Sequence, residues 1–145
     1  LSLLCKAIIA DFGDFESFKA GVSREWLLAR KGIGAESCDA ILCYACERAV
    51  MVADSYSARL LGALGYEFES YDELSAWLGE LEFERIYEFV NSANSPCDAA
   101  AKAGKLENEN GVYALFHGLI VEFCKAHLKG KIFDESAKII LNNLR

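Results

Sequence analysis

The sequence predicts an all-α chain. Apolar residues recur at helical spacing through most of its 145 positions, and serine and aspartate stand where helix caps belong. The one run that could pass for a strand, Ala49 to Val52, is too isolated to pair. With 53% hydrophobic residues the chain can bury a real core, as one domain or two small lobes. No apolar run is long enough to span a bilayer and no signal peptide is visible, which predicts a cytoplasmic protein without a membrane partner. No internal repeat is found.

The elements follow in order. Leu3 to Phe18 reads as a helix and then a link, with Phe12, Phe15 and Phe18 spaced for packing. Ser23 can cap a short helix whose apolar part is Trp26, Leu27 and Leu28 and which ends at Arg30-Lys31. Gly32-Ile33-Gly34 is then a tight reversal, with glycine where positive φ or close backbone approach is expected. A second helix starts near Ala35, and Cys38, Ile41, Leu42 and Ala45 give it one buried face. Helices joined by so short a hairpin must pack together. The second presents free backbone N–H groups at its start, and these, with the helix dipole, suit a phosphate oxygen. Asp54 follows the apolar run and is placed to cap a helix that stops at Gly65.

Farther on, Ser70-Tyr-Asp-Glu73 is a capping box that starts a helix through Leu74, Trp77 and Leu78. Leu81 to Val90 continues as helix, with Phe83, Ile86, Tyr87 and Val90 on one face. Asn91 to Asn110 holds the chain's proline, Pro96, and the alanine-rich Ala99 to Ala103, and reads as a short helix between loops. Gly111 to Leu128 is a strong helix, and Asp134 to Leu144 the last one.

Two stretches, KGIGAESCDAILCYA (Lys31 to Ala45) and VMVADSYSARLL (Val50 to Leu61), resemble the helix-hairpin-helix DNA glycosylases of the endonuclease III superfamily. They look most like the bacterial 3-methyladenine DNA glycosylases of endonuclease III type. The similarity runs from the first residues to about Lys129 and is weakest between Glu80 and Asn110. It implies the helix-hairpin-helix glycosylase fold, N-terminally truncated, because the chain begins at Leu1 within a helical pattern. Residues 1-53 would belong to the helical domain carrying the hairpin, and 54-145 to a C-terminal helical lobe. The implied activity is removal of alkylated purines from double-stranded DNA in base-excision repair. Whether the fragment folds alone, dimerises or is active does not follow from the sequence.

By this resemblance Asp54 holds the position of the family's catalytic aspartate. Excision of a base leaves positive charge on deoxyribose in the transition state, and a carboxylate stabilises that charge and can activate water. The damaged base must first leave the duplex stack. The plainer role for Asp54 is a helix cap, and both can coexist. Bifunctional members carry a lysine nucleophile where this chain has Glu36, and glutamate cannot form an imine. Lys31 does not match that position. The expected reaction is therefore monofunctional hydrolysis.

Gly32, Ile33, Gly34, Glu36 and Ser37 form the expected DNA-backbone contact, although any helix–helix turn could look alike. In this family hairpin carbonyls can also hold a monovalent cation with the DNA. Lys125 resembles a pocket-lining lysine of close relatives, and a solvated lysine is the plainer reading. His117 reads as a packed or capping histidine, and Arg59 as a brace for the Asp54 helix or a backbone contact. Many relatives carry a four-cysteine iron–sulfur loop near the C-terminus. This chain has only Cys124 there, so no cluster and no metal are expected. Cys43 and Cys46 form a C-x-x-C in an apolar helix and are read as buried thiols.

The net charge of −7 is the wrong sign for a stand-alone nucleic-acid binder. The acidity is local. Residues 24–60 carry five basic and five acidic groups, whereas 66–110 carry three basic against eleven acidic. Three other readings stay open: a non-catalytic hairpin module in which Asp54 is only a cap, a bifunctional endonuclease III-like glycosylase/AP lyase, and a cysteine-based metal or redox protein.

Overall fold

The computed structural model describes residues 2–82, 84, 85, 88 and 109–144. Helices α1 (Ser2–Phe12) and α2 (Phe15–Gly21) replace the predicted single helix and link. Gly13 makes the break, because its φ of 84° ends the first helix. The Asp14 carboxylate then caps the second by accepting from the Ser17 N–H at 2.7 Å.

The hairpin pair is α3 (Arg24–Leu28) and α4 (Ala35–Ala40). Ser23 caps α3 as expected, its Oγ accepting from the Trp26 N–H at 3.1 Å. The helix ends earlier than predicted, with Ala29 at its C-cap. A turn of π-helix, Ile41–Ala45, continues α4 and corrects the predicted buried face. The extra residue in the turn rotates the chain, so Leu42, Cys43 and Cys46 are buried while Ile41 and Ala45 are only partly so. Met51, Val52 and Ala53 then run extended and buried, without a sheet partner.

Helix α5 (Ser55–Ala63) follows, with Gly65 at φ 96° just beyond its end. Helix α6 (Tyr71–Gly79) opens on the expected box: Ser70 Oγ accepts from the Glu73 N–H at 3.2 Å. Glu73 in turn accepts from the N–H of Glu69, at 2.7 Å, rather than from that of Ser70. Helix α7 (Glu109–His127) is the predicted strong helix, and α8 (Glu135–Asn142) the last. Between them lies an antiparallel ribbon of β1 (Leu128–Lys129) and β2 (Ile132–Phe133), which the sequence reading lacked. Gly130, at φ 70°, lets the chain reverse there. Two-residue strands are too short to show a period of two. Predicted helical positions Phe83, Ile86, Tyr87 and Val90, and the stretch 91–108, lie outside the described residues.

Burial gathers into two clusters. Phe18, Val22, Leu27, Cys38, Leu42 and Cys46 form one around the hairpin helices, with Phe12 and Trp26 edge-to-face at 5.1 Å. The other joins Met51 and Ala53 to α5, α6, α7 and α8 through Leu61, Leu78, Ile120 and Leu141. A polar brace runs from the hairpin helices to α6. Asp39, only 2% exposed, accepts from Arg24 Nε at 2.9 Å, Arg24 Nη2 at 3.2 Å and Tyr71 Oη at 2.8 Å. Hydrogen bonding to Asp39 raises the Arg24 guanidinium above its ordinary range, and burial followed by Asp39 raises the Tyr71 hydroxyl.

Asp134 caps α8, accepting from the Ala137 N–H at 2.9 Å and Ser136 Oγ at 2.7 Å, with His127 Nδ1 3.2 Å away. The Ala137 N–H, then Ser136 and His127, hold its pKa down at about 2 against an ordinary 3.8. A depressed carboxylate adds stability that is complete above its unfolded value and is lost as pH falls through the folded one. Melting temperatures of the parent and Asp134→Asn should therefore differ above pH 3.8 and converge as pH falls toward about 2. A constant difference across that window would mean the charge of Asp134 contributes nothing.

Candidate active site

Asp54 stands where the buried extended run meets α5, and the helix cap fixes its carboxylate. Its backbone is extended, at φ −94° and ψ −177°. One oxygen, Oδ1, accepts from the Tyr56 N–H at 3.0 Å, the Ser57 N–H at 2.8 Å and Ser57 Oγ at 3.1 Å. Ser57 is fully buried. The other oxygen, Oδ2, faces His117 of α7, whose Nε2 lies 3.5 Å away, each side chain being 12% exposed. At that distance the contact is electrostatic rather than a closed hydrogen bond, and Nε2 is a buried atom without a hydrogen-bond partner. Across the ring, His117 Nδ1 meets Tyr44 Oη at 2.5 Å.

Burial pushes the Asp54 carboxyl upward, but His117 and the two Ser57 donors outweigh it and hold the group below the usual carboxylate range. Asp54 is thus ionised at neutral pH in a half-buried site, with the positive end of α5 beside it. Such a carboxylate can stabilise a neighbouring cation or orient a water molecule.

The hairpin presents a different surface. Gly32 takes φ 87°, which requires glycine, whereas Gly34 is extended at φ −91° and serves as the N-cap of α4. Gly34 gives that helix no side-chain cap, so its first N–H groups face outward. Gly32, Gly34, Glu36 and Ser37 are exposed, while Ile33 packs against the first core and anchors the turn. Among the described residues no hydrogen bond uses the carbonyls of Gly32 or Ile33.

Other sequence candidates lie elsewhere. Lys125 is exposed and paired with Glu122 at 3.4 Å, a solvated position that supplies no contact to Asp54. Arg59 stacks over Tyr56 of its own helix at 5.9 Å. Cys43 and Cys46 are buried, and burial raises both thiols, that of Cys43 to about 11. Among the described residues no group of three or more His, Cys, Asp or Glu side chains could hold a metal ion. The sequence reading missed the pairing of His117 and Tyr44 with Asp54, and also the Asp39 brace. Tyr44 and His117 lie far apart in sequence, so no local signal joins them.

No family model matches the chain. A Methanocaldococcus jannaschii protein bearing the name of a DNA repair glycosylase is 30% identical over 146 residues, covering 96% of this chain and 56% of its own length. A solved structure of H. pylori 3-methyladenine DNA glycosylase (MagIII), bound to 1,N6-ethenoadenine, matches with a TM-score of 0.71 and 44% identity. That match covers 87% of this chain and 54% of the H. pylori chain, so the chain spans about half the length of each relative. The largely helical fold and the sequence identity, over about half the length of each relative, bear out the resemblance to the helix-hairpin-helix DNA glycosylases of the endonuclease III superfamily.

Proposed function

We propose that the protein carrying this chain is a monofunctional DNA glycosylase that frees alkylated purines of the 3-methyladenine type from double-stranded DNA. The observation that carries this reading is the ionised Asp54, pinned through Oδ1 with Oδ2 left for chemistry. Once the base is flipped out, that charge stabilises the developing sugar cation and orients the attacking water. The name of the H. pylori relative supports the substrate class.

Glu36 supports hydrolysis over lyase chemistry, since the hairpin helix offers no amine at the position where bifunctional relatives carry their nucleophile. The outward N–H groups at Gly34, Glu36 and Ser37 suit a DNA phosphate, with Gly32 and Ile33 shaping the turn. The carbonyls of Gly32 and Ile33 are the groups that would hold a monovalent cation between hairpin and DNA. We assign no metal or iron–sulfur cofactor, and no role in the pocket beyond a candidate one for Lys125. We read residues 1-53 as part of the hairpin domain and 54-145 as a second lobe. A reducing, cytoplasmic setting fits the free thiols of Cys38, Cys43, Cys46 and Cys124. No helix among the described residues is long and apolar enough to cross a membrane.

The test is the full-length protein on duplex DNA bearing one alkylated purine. Base release with the strand intact until alkali is added, and no adduct trapped by borohydride, is expected. Strand cleavage without alkali, with a trapped adduct, would overturn the reading of Glu36. Duplex binding without release of any alkylated base would instead make this a binding module.

A further inference from the structure

We infer that His117, oriented by Tyr44, is a positioning residue for Asp54, presenting Nε2–H to the carboxylate oxygen that the helix cap leaves free. The inference rests on the proposed role of Asp54 in base excision and goes beyond it by assigning the side chains that hold Oδ2.

Hydrogen counting sets the direction of each contact. Tyr44 Oη has one proton and two neighbouring acceptors, His117 Nδ1 at 2.5 Å and the Ala114 carbonyl at 3.3 Å. Donation to Nδ1 is the arrangement that leaves a ring proton on Nε2 for Asp54, and it is the one we adopt. Burial pushes the Tyr44 hydroxyl up to about 12, which keeps it a donor at neutral pH. With Nδ1 accepting, the proton of the neutral imidazole sits on Nε2, directed at Asp54 Oδ2 3.5 Å away. The opposite tautomer would set the Nε2 lone pair against a carboxylate, acceptor against acceptor. It would also leave the charge of Asp54 without a donor on that side.

Burial gives the arrangement its consequence. His117 Nε2 is shielded from solvent and has no other hydrogen-bond partner, so Asp54 is the group it faces. Oδ1 is saturated by Tyr56 and Ser57. The donors on Oδ1 hold the carboxylate plane, and Oδ2 is thereby turned toward His117 Nε2, 3.5 Å away. A small misalignment of a catalytic group is expensive in rate.

The experiment compares four variants of the full-length protein on an alkylated duplex, measuring single-turnover base release and duplex affinity separately. His117→Phe keeps a ring but removes both nitrogens, and should slow release by roughly 10- to 100-fold with affinity unchanged. His117→Gln restores an N–H donor near the position of Nε2 and should recover most of the loss. Tyr44→Phe should cost roughly 3- to 10-fold alone and nothing further in the His117→Phe background. A His117→Phe rate equal to the parent's overturns the inference, as does a Gln variant no better than Phe, or a loss confined to affinity or melting temperature.

Imidazole 15N shifts supply a readout independent of excision. The parent should show His117 as the Nε2–H tautomer, and Tyr44→Phe should mix the tautomers. An Nδ1–H ring or an imidazolium in the parent also overturns the inference. If the parent frees no base, the functional reading fails while these shifts still decide the orientation of His117.

Discussion

Asp54→Asn should abolish most base release, by about 10²- to 10⁴-fold, while leaving the melting temperature and duplex affinity close to those of the parent. The separation is expected because, in the proposed role, one carboxylate does two jobs through two oxygens. The cap bonds from Tyr56 and Ser57 all end on Oδ1, and an asparagine carbonyl oxygen accepts them equally well. What asparagine removes is the negative charge. Asp54→Ala is the control, since it loses both functions and should destabilise α5 by about 1 kcal/mol besides losing activity. Measured single-turnover rates and thermal melts on the three proteins decide the matter. An asparagine variant that excises at the parent's rate would reduce Asp54 to a cap and sink the catalytic reading.

Much of this was legible because the signals are local. Ser23, Asp54 and Ser70 all cap the helices that the sequence assigns them, since a cap is set within three residues of chain. Gly32 and Gly65 likewise take the positive φ that their places imply. The fold class followed from periodicity. Other features did not. The π turn at Ile41–Ala45 adds one residue to a helical period, and nothing in Ile-Leu-Cys-Tyr-Ala announces it. The sequence reading gives a link where α2 forms, although Asp14 beside Gly13 is a good cap. The His117 contact depends on how α7 packs against α5 and the π turn, and one-dimensional patterns do not carry that. Asp39 shows the same limit. An aspartate in a helix reads as solvated, and only the approach of Arg24 and Tyr71 explains its burial.

Asp39→Ala should be the most destabilising single change among these sites, at about 3 kcal/mol, or roughly a 10 °C fall in melting temperature. The substitution removes a buried acceptor and leaves the Tyr71 hydroxyl and the Arg24 guanidinium without it. A fully enclosed ion pair would cost more. Here the Arg24 side chain is 39% exposed and can turn toward water or toward Asp72, now 3.7 Å away, which limits the loss. Tyr71→Phe should cost about 1 kcal/mol alone and little once Asp39 is gone, because both changes break the same bond. Asp39 sits in α4, which carries the hairpin surface, and it ties that helix to α3 and α6. The functional defect should therefore be the mirror image of Asp54→Asn: weaker duplex binding, with the chemical step nearly retained at saturating duplex. If Asp39→Ala melts with the parent and adds fully to Tyr71→Phe, the brace is ornamental. The hairpin would then be positioned by its apolar contacts through Leu27, Ile33, Cys38 and Leu42 alone.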